Sequence, residues 1–350
     1  MDLPLPEMSA LMTLKLTLST PVEMNDLVFL NTLPRLNTLF LATHGSGNKP
    51  VYPEEGKHLA VSHPKQGQSK ITTLNLGGDP FFIFWATSFF RSRFLHTFVA
   101  KIWTTLDDNI RPGLLLMPHI LHLVISSNPK VQQFSIEWDG DLRGDEYWDW
   151  DDERLSIPEE VFNSVNRLRD LKILSIKNIP IFTADFTSQL YYGLPRLPSL
   201  HTLCLVPRSV SREDVLSLPK IEDLAVVCLD FPSLRHLTIS LEDIVETPSE
   251  VTEIMMDPEH GLKSLFIVSP FGELETSITL SQLIPLATYL DSLFPQLVDV
   301  TSYFESADKL KKGGQRTLEC WENLDGLLKS YQRIRTRSVR NLLEGRAEKS

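Results

Sequence analysis

One apolar phrase, L-x-x-L-x-L, constrains this chain more than any other feature, because it returns again and again along 350 residues. It stands at Leu11, Leu14 and Leu16, at Leu36, Leu39 and Leu41, at Ile71, Leu74 and Leu76, and at Val131, Phe134 and Ile136. The second half repeats it more cleanly, at Leu171, Leu174 and Ile176, Leu200, Leu203 and Leu205, Leu234, Leu237 and Ile239, and Leu262, Leu265 and Ile267. A degenerate last copy is Leu297 with Val300. The step from Ile71 to Val131 is about two units long, and a weak phrase at Leu95 and Phe98 divides it.

The last two apolar positions of each phrase lie two apart, so they share one face of a short strand, and the first turns inward where that strand begins. Between strands the chain has to return. Arg111 to Ile125 and Ser211 to Val227 have helical length, and Pro118 and Pro219 are expected to kink or divide them. Ser156 to Leu168 opens with Ser, Pro and acids, a helix-start pattern. The phrases from Ile120 (ILHLVI) and Ile221 (IEDLAVV) follow too closely on the next rung to be rungs themselves, and are read as connecting helix. A strand and a helix per unit, neither able to bury its apolar face alone, stack into a solenoid.

This pattern resembles the leucine-rich repeat family, over most of residues 11 to 302. The resemblance implies an α/β horseshoe of irregular strand-helix units, with a parallel sheet on the concave side and helices on the convex side. The expected organisation is one continuous solenoid over 1–304, with insertion loops at about 44–70 and 137–155. A loop over 305–316, a capping helix over 317–344 and a fraying tail over 345–350 complete it. The capping helix carries an apolar stripe of Trp321, Leu324, Leu327, Leu328, Tyr331 and Ile334, suited to covering the last rung.

The wording LPSLHTLCL, FPSLRHLTI and YLDSLFPQLVDV, followed by CWENLDGLLKSYQRIR, is similar to the carboxy-terminal part of fungal, basidiomycete-type F-box proteins with divergent leucine-rich repeats. Trp321, Gln332 and Arg335 carry that likeness in the final helix. It implies target recognition for a ubiquitin ligase. The F-box itself is missing: LPEM at Leu5 and IPEEVF at Ile157 imitate its opening, and neither leaves room for the rest. A ligase adaptor is therefore expected as a partner only with an F-box upstream.

Composition narrows the function further. Lys and Arg number 34 against 45 Asp and Glu, a net charge of -11, which argues against coating phosphate backbones. Cys204, Cys228 and Cys320 form no C-x-x-C pair, and the first residues lack a secretory pattern, so a cytoplasmic or nuclear protein is expected. The apolar stretch from Pro80 to Phe90 is about half the ~20 residues a bilayer needs, and reads as a buried helix or strand.

No motif supports catalysis. His44 to Asn48 and Leu76 to Pro80 have neither a nucleophile elbow nor phosphate-loop spacing. His119 and His122 lack further converging ligands, and the acidic run from Glu137 to Glu153 fails calcium-loop spacing at Arg143 and Trp150. The expected function is a non-enzymatic, monomeric protein-binding solenoid without cofactor or metal, engaging neither nucleic acid nor membrane. The rival classes are a stand-alone scaffold outside any ligase, and an enzyme with dispersed catalytic residues. Side chains between the core leucines alternate outward, which selects Phe40, Asn75, Ser135, Lys177, His236, Thr238 and Phe266 as the binding face. A second candidate is the acidic-aromatic loop with Trp138, Tyr147, Trp148 and Trp150. The balance of seven basic and two acidic residues from Lys329 to Lys349 reads as a solvated helix end.

Overall fold

In a computed structural model of the chain, the described residues are 5–18, 27–43, 69–90, 92–103, 117–128, 130–138, 168–179, 197–207, 218–241, 260–268, 280–302 and 312–347. The fold is α/β, with parallel strands following one another in chain order and helices between them, the arrangement that the leucine-rich-repeat reading expects. Ten strands have formed where the phrase falls. They are β1 Thr13–Leu18, β2 Thr38–Thr43, β3 Thr73–Gly78, β4 Thr97–Ile102, β5 Gln133–Trp138, β6 Ile173–Ile179, β7 Thr202–Pro207, β8 His236–Ser240, β9 Ser264–Val268 and β10 Asp299–Ser302. The helices are α1 Pro80–Phe89, α2 Met117–Ser127, α3 Leu224–Asp230, α4 Leu280–Leu293 and α5 Lys312–Ala347. The weak phrase at Leu95 is a full rung, β4, with Leu95, Phe98 and Ala100 buried.

The chain groups into two compact units, the first carrying β1 to β6 and the second β7 to β10 with α3, α4 and α5. Within each unit every strand is parallel to the next and neighbours follow chain order. The register places like on like: Leu39 opposite Leu74, Leu74 opposite Phe98, Phe98 opposite Phe134 and Phe134 opposite Leu174. In the second unit Leu203, Leu237, Leu265 and Val300 align in the same way. Each is buried, and the Phe98 and Phe134 rings stack with centroids 5.4 Å apart.

The start of each rung repeats one hydrogen-bond pattern. The residue after the first leucine and the residue following it both donate their backbone N–H to a single carbonyl of the preceding rung. Asn37 and Thr38 donate to Met12, Thr72 and Thr73 to Asn37, His96 and Thr97 to Thr72, Gln132 and Gln133 to His96, and Lys172 and Ile173 to Gln132. Arg235 and His236 donate to His201, Lys263 and Ser264 to Arg235, and Val298 and Asp299 to Lys263. Backbone groups buried between stacked rungs are thereby paired, as burial demands.

The rung really starts three residues earlier than the leucine phrase suggests. The N–H of the first leucine donates to the carbonyl three residues back in eight rungs, for example Leu36 to Leu33, Leu171 to Leu168 and Leu234 to Phe231. Side chains close the other two. Ile71 N–H donates to Ser69 Oγ, and Leu262 N–H donates to Nδ1 of the buried His260, whose Nε2 pairs with the Phe231 carbonyl at 3.1 Å. A small or apolar residue fits this inward position, which explains the recurring Leu-Pro and Phe-Pro words.

Three prolines stand at helix starts, while residues 111–116 and 211–217, on the other side of the expected kinks at Pro118 and Pro219, lie outside the described residues. Pro118 is the second residue of α2, Pro219 precedes the 3₁₀ turn Ile221–Asp223 that leads into α3, and Pro80 is the first residue of α1. Proline lacks an N–H that the first turn leaves unpaired in any case. Asp79 completes the start of α1, its carboxylate accepting from Phe81 N–H at 2.9 Å and Phe82 N–H at 3.0 Å. No helix among the described residues is long and apolar enough to cross a membrane.

The last helix is longer than the expected 317–344, running Lys312–Ala347. Trp321, Leu324 and Leu328 are buried against α4 and β10, Leu327 and Tyr331 are half-buried, and Ile334, expected in the same stripe, is exposed. Gln332 Nε2 donates to the Leu297 carbonyl. Arg335 donates to the Asp291 carboxylate at 2.7 Å and to the Pro295 carbonyl at 2.6 Å. The two polar residues of the Gln-x-x-Arg word thus hold the segment between α4 and β10. The helix reading of Ser156 to Arg167, the loop 305–311 and the tail 348–350 lie outside the described residues.

Candidate interaction face

Strand alternation sends odd and even positions of each strand to opposite sides. On the side away from the leucine core, the first unit lines up Lys15, Phe40, Asn75, Val99, Ser135 and Ser175 in one register row across β1 to β6. Three of the expected binding residues, Phe40, Asn75 and Ser135, therefore share a row. Phe40 is 36% exposed, Asn75 and Ser135 are half-buried, and Ser175 at the end of the row is buried. Lys177 belongs to the next row on the same face, opposite Glu137, which faces Lys101 and through it Gly77.

In the second unit His236 and Thr238 of β8 stand opposite Ser264 and Phe266 of β9. His236 is exposed and its Nδ1 lies 3.3 Å from Ser264 Oγ, while Thr238 and Phe266 are half-buried side by side. His236, Thr238 and Phe266 are thus brought together. Cys204 and Ser240, on the same face by register, are buried.

Trp138 does not belong to the second candidate. It ends β5 on the core side, 2% exposed, in register with Ile102 and, through it, Gly78. The alternation Phe134, Ile136, Trp138 carries it inward, so the acidic character of its neighbours in sequence does not place it on the surface. Glu137 likewise belongs to the strand, and residues 139–155 of the expected loop lie outside the described residues. Tyr147, Trp148 and Trp150 lie outside the described residues.

A residue the sequence pattern did not select adds to the face of the first unit. Trp103, directly after β4, lies across Gly77 of β3 and donates from Nε1 to the Thr43 carbonyl of β2 at 3.1 Å. Its ring is half-exposed, so Phe40, Val99 and Trp103 supply apolar surface amid the polar Asn75 and Ser135. The only sign of it in the sequence is the glycine pair Gly77–Gly78, two residues without side chains at the end of a strand.

His119 is exposed on α2 and His122 is half-buried there. Among the described residues, no three His, Cys, Asp or Glu side chains gather as a metal site would require. The face offers shape, aromatic surface and hydrogen-bonding groups in fixed register.

No protein-family model matches the chain, and no curated protein matches it in sequence. Among solved structures, it is similar to the leucine-rich repeat-containing protein LegL7 from Legionella pneumophila, at 12% identity over 92% of this chain and 94% of that one, with a TM-score of 0.39. A weaker likeness is to D-psicose 3-epimerase from Clostridium cellulolyticum H10, at 10% identity over 75% of this chain and 89% of that one, with a TM-score of 0.19. The repeat reading rests on the strand register and the recurring rung-start hydrogen bonds, not on these likenesses.

Proposed function

We propose that the chain is a non-enzymatic protein-binding scaffold whose core-distal sheet face holds the partner. The observation that carries this is the register row Phe40, Asn75, Val99 and Ser135, a run of accessible side chains on four consecutive strands of one hydrogen-bonded sheet. Rigid backbones that present mixed aromatic and polar side chains lose little conformational freedom on binding. Aromatic anchors such as Phe40 and Trp103 are the residue types on which interface energy concentrates.

The finer reading, by resemblance in the last repeats and Trp321, Gln332 and Arg335, is the target-recognition part of an F-box-like ubiquitin-ligase subunit or a related adaptor. Binding of the ligase adaptor to full-length protein supports it, and failure to bind removes the ligase role while leaving the scaffold. The scaffold itself is tested by placing a photo-crosslinking residue at Asn75 or Ser135 and, as control, at His119 on α2. A discrete protein adduct from the sheet positions alone is the expected result. Equal labelling from His119 contradicts it.

A further inference from the structure

The first unit carries a second feature, at the turns that lead into its strands. Two positions precede the first apolar residue of each rung there, and in each of the rungs of β2 to β6 one of the two is basic. Arg35, Lys70 and Lys130 occupy the position immediately before the first apolar residue of their rungs, and Arg93 and Arg169 stand one residue earlier. Lys172 follows the first leucine of its own rung. All six are exposed, and the band contains one acid, Asp170.

The stacking of these positions is set by the rung-start hydrogen bonds, which link residues 37, 72, 96, 132 and 172 in series. Neighbouring parallel strands lie ~4.8 Å apart, so the five turns spread at least five cations along an edge of about 20 Å. The fold does not require them. At the two positions before the first leucine, the second unit carries Pro198-Ser199 and Pro232-Ser233, which make the same backbone bonds without charge, while Arg235 and Lys263 match Lys172 at the position after it. A run of positive charge in a chain of net charge -11 is therefore a local property of this edge.

We infer that this edge of the first unit, Arg35 to Lys172, is a docking strip for an acidic polypeptide segment. The inference rests on the protein-binding reading above and adds the chemistry of one partner segment, at a surface separate from the sheet face. An acidic peptide in extended form presents same-side carboxylates every ~7 Å, a spacing that long Lys and Arg side chains meet readily from rungs ~4.8 Å apart. Phe94 lies within the strip, 42% exposed, with the Arg93 guanidinium 4.8 Å from its ring centroid, and adds an apolar contact beside the cations. The acidic remainder of the chain repels long polyanions, which favours a short peptide over a nucleic acid.

The test is fluorescence-anisotropy titration of the full chain with a labelled oligo-glutamate peptide and, in parallel, a single-stranded oligonucleotide of equal charge. Peptide binding that weakens ~10-fold when salt rises from about 50 to about 200 mM is expected. The triple variant Arg35→Glu, Lys70→Glu, Lys130→Glu should abolish it, and the neutral set Arg35→Gln, Lys70→Gln, Lys130→Gln, which keeps the surface polar, should weaken it ~10-fold or more. Peptide binding indifferent to either variant set, absence of binding by the wild type, or tighter binding of the oligonucleotide each overturns the inference. The variant Phe40→Ala should leave peptide binding within twofold, which separates failure of the strip from failure of the sheet face.

Discussion

Trp103 packs on Gly77, so closely that a Cβ at residue 77 would come within 2.8 Å of the ring atom Cζ3. The indole is held there from both ends, by its backbone N–H on the Gly78 carbonyl and by Nε1 on the Thr43 carbonyl, each at 3.1 Å. One side chain thereby ties three rungs together. Gly77→Ala should destabilise the protein by about 1–3 kcal/mol through overpacking, read from urea unfolding. In a Trp103→Ala background the same glycine substitution should be close to neutral, because the clash has lost its partner. An equal loss in both backgrounds refutes the strap.

His260 does the work of a leucine in its turn. It takes the Leu262 N–H on Nδ1 and pairs Nε2 with the Phe231 carbonyl, packed edge-on against Phe294. His260→Leu keeps the volume but strips both bonds from a buried turn, and should lose about 2–4 kcal/mol. Amide exchange should accelerate first at Leu262 and Lys263. Unchanged exchange there would mean that the imidazole merely fills space.

The stacked pair Phe98 and Phe134 sits at the centre of the first unit's core row, both fully buried. Phe98→Ala should lower stability by about 3–5 kcal/mol, whereas Phe40→Ala, one register face away, should change it by no more than about 0.5 kcal/mol. Thermal unfolding of the two variants side by side decides whether the strand alternation is assigned correctly.

Arg335 joins α5 to the end of α4 through Asp291 and Pro295, and its own side chain is 38% exposed. Solvent screening limits what the pair contributes, so Arg335→Ala should cost about 1 kcal/mol. Trp321→Ala, which empties a buried site on the same helix, should cost about 3–5 kcal/mol. If the two variants lose equal stability by denaturant titration, the helix is held by charge and not by packing.

The repeat itself was legible because Leu and Ile at period two leave few other solutions, and even the weak Leu95 rung could be read. What failed did so where one kind of signal masked another. Trp138 continued an alternation that began at Phe134, but the carboxylates beside it drew it into a supposed surface loop. Pro118 and Pro219 leave the helix bounds open in sequence, because a proline reads the same at a helix start and in a helix interior until the start is known. His260, Ser69 and Trp103 act through hydrogen bonds to the backbone of other turns or rungs, which no spacing within their own segment encodes. The edge formed by Arg35, Lys70, Arg93, Lys130 and Arg169 emerges only after the rungs are stacked, since its members are far apart in the chain.

The most direct test of the account is the register of neighbouring rungs, measured by disulfide trapping. Ser135 and Ser175 are register partners on β5 and β6, and parallel neighbours at ~4.8 Å fall within the Cα separation that a disulfide spans. The Ser135→Cys, Ser175→Cys variant should oxidise rapidly and completely in the folded protein, and the offset Ser135→Cys, Lys177→Cys variant should not. Equal or greater trapping of the offset pair would contradict the stacked-rung architecture on which both binding surfaces depend.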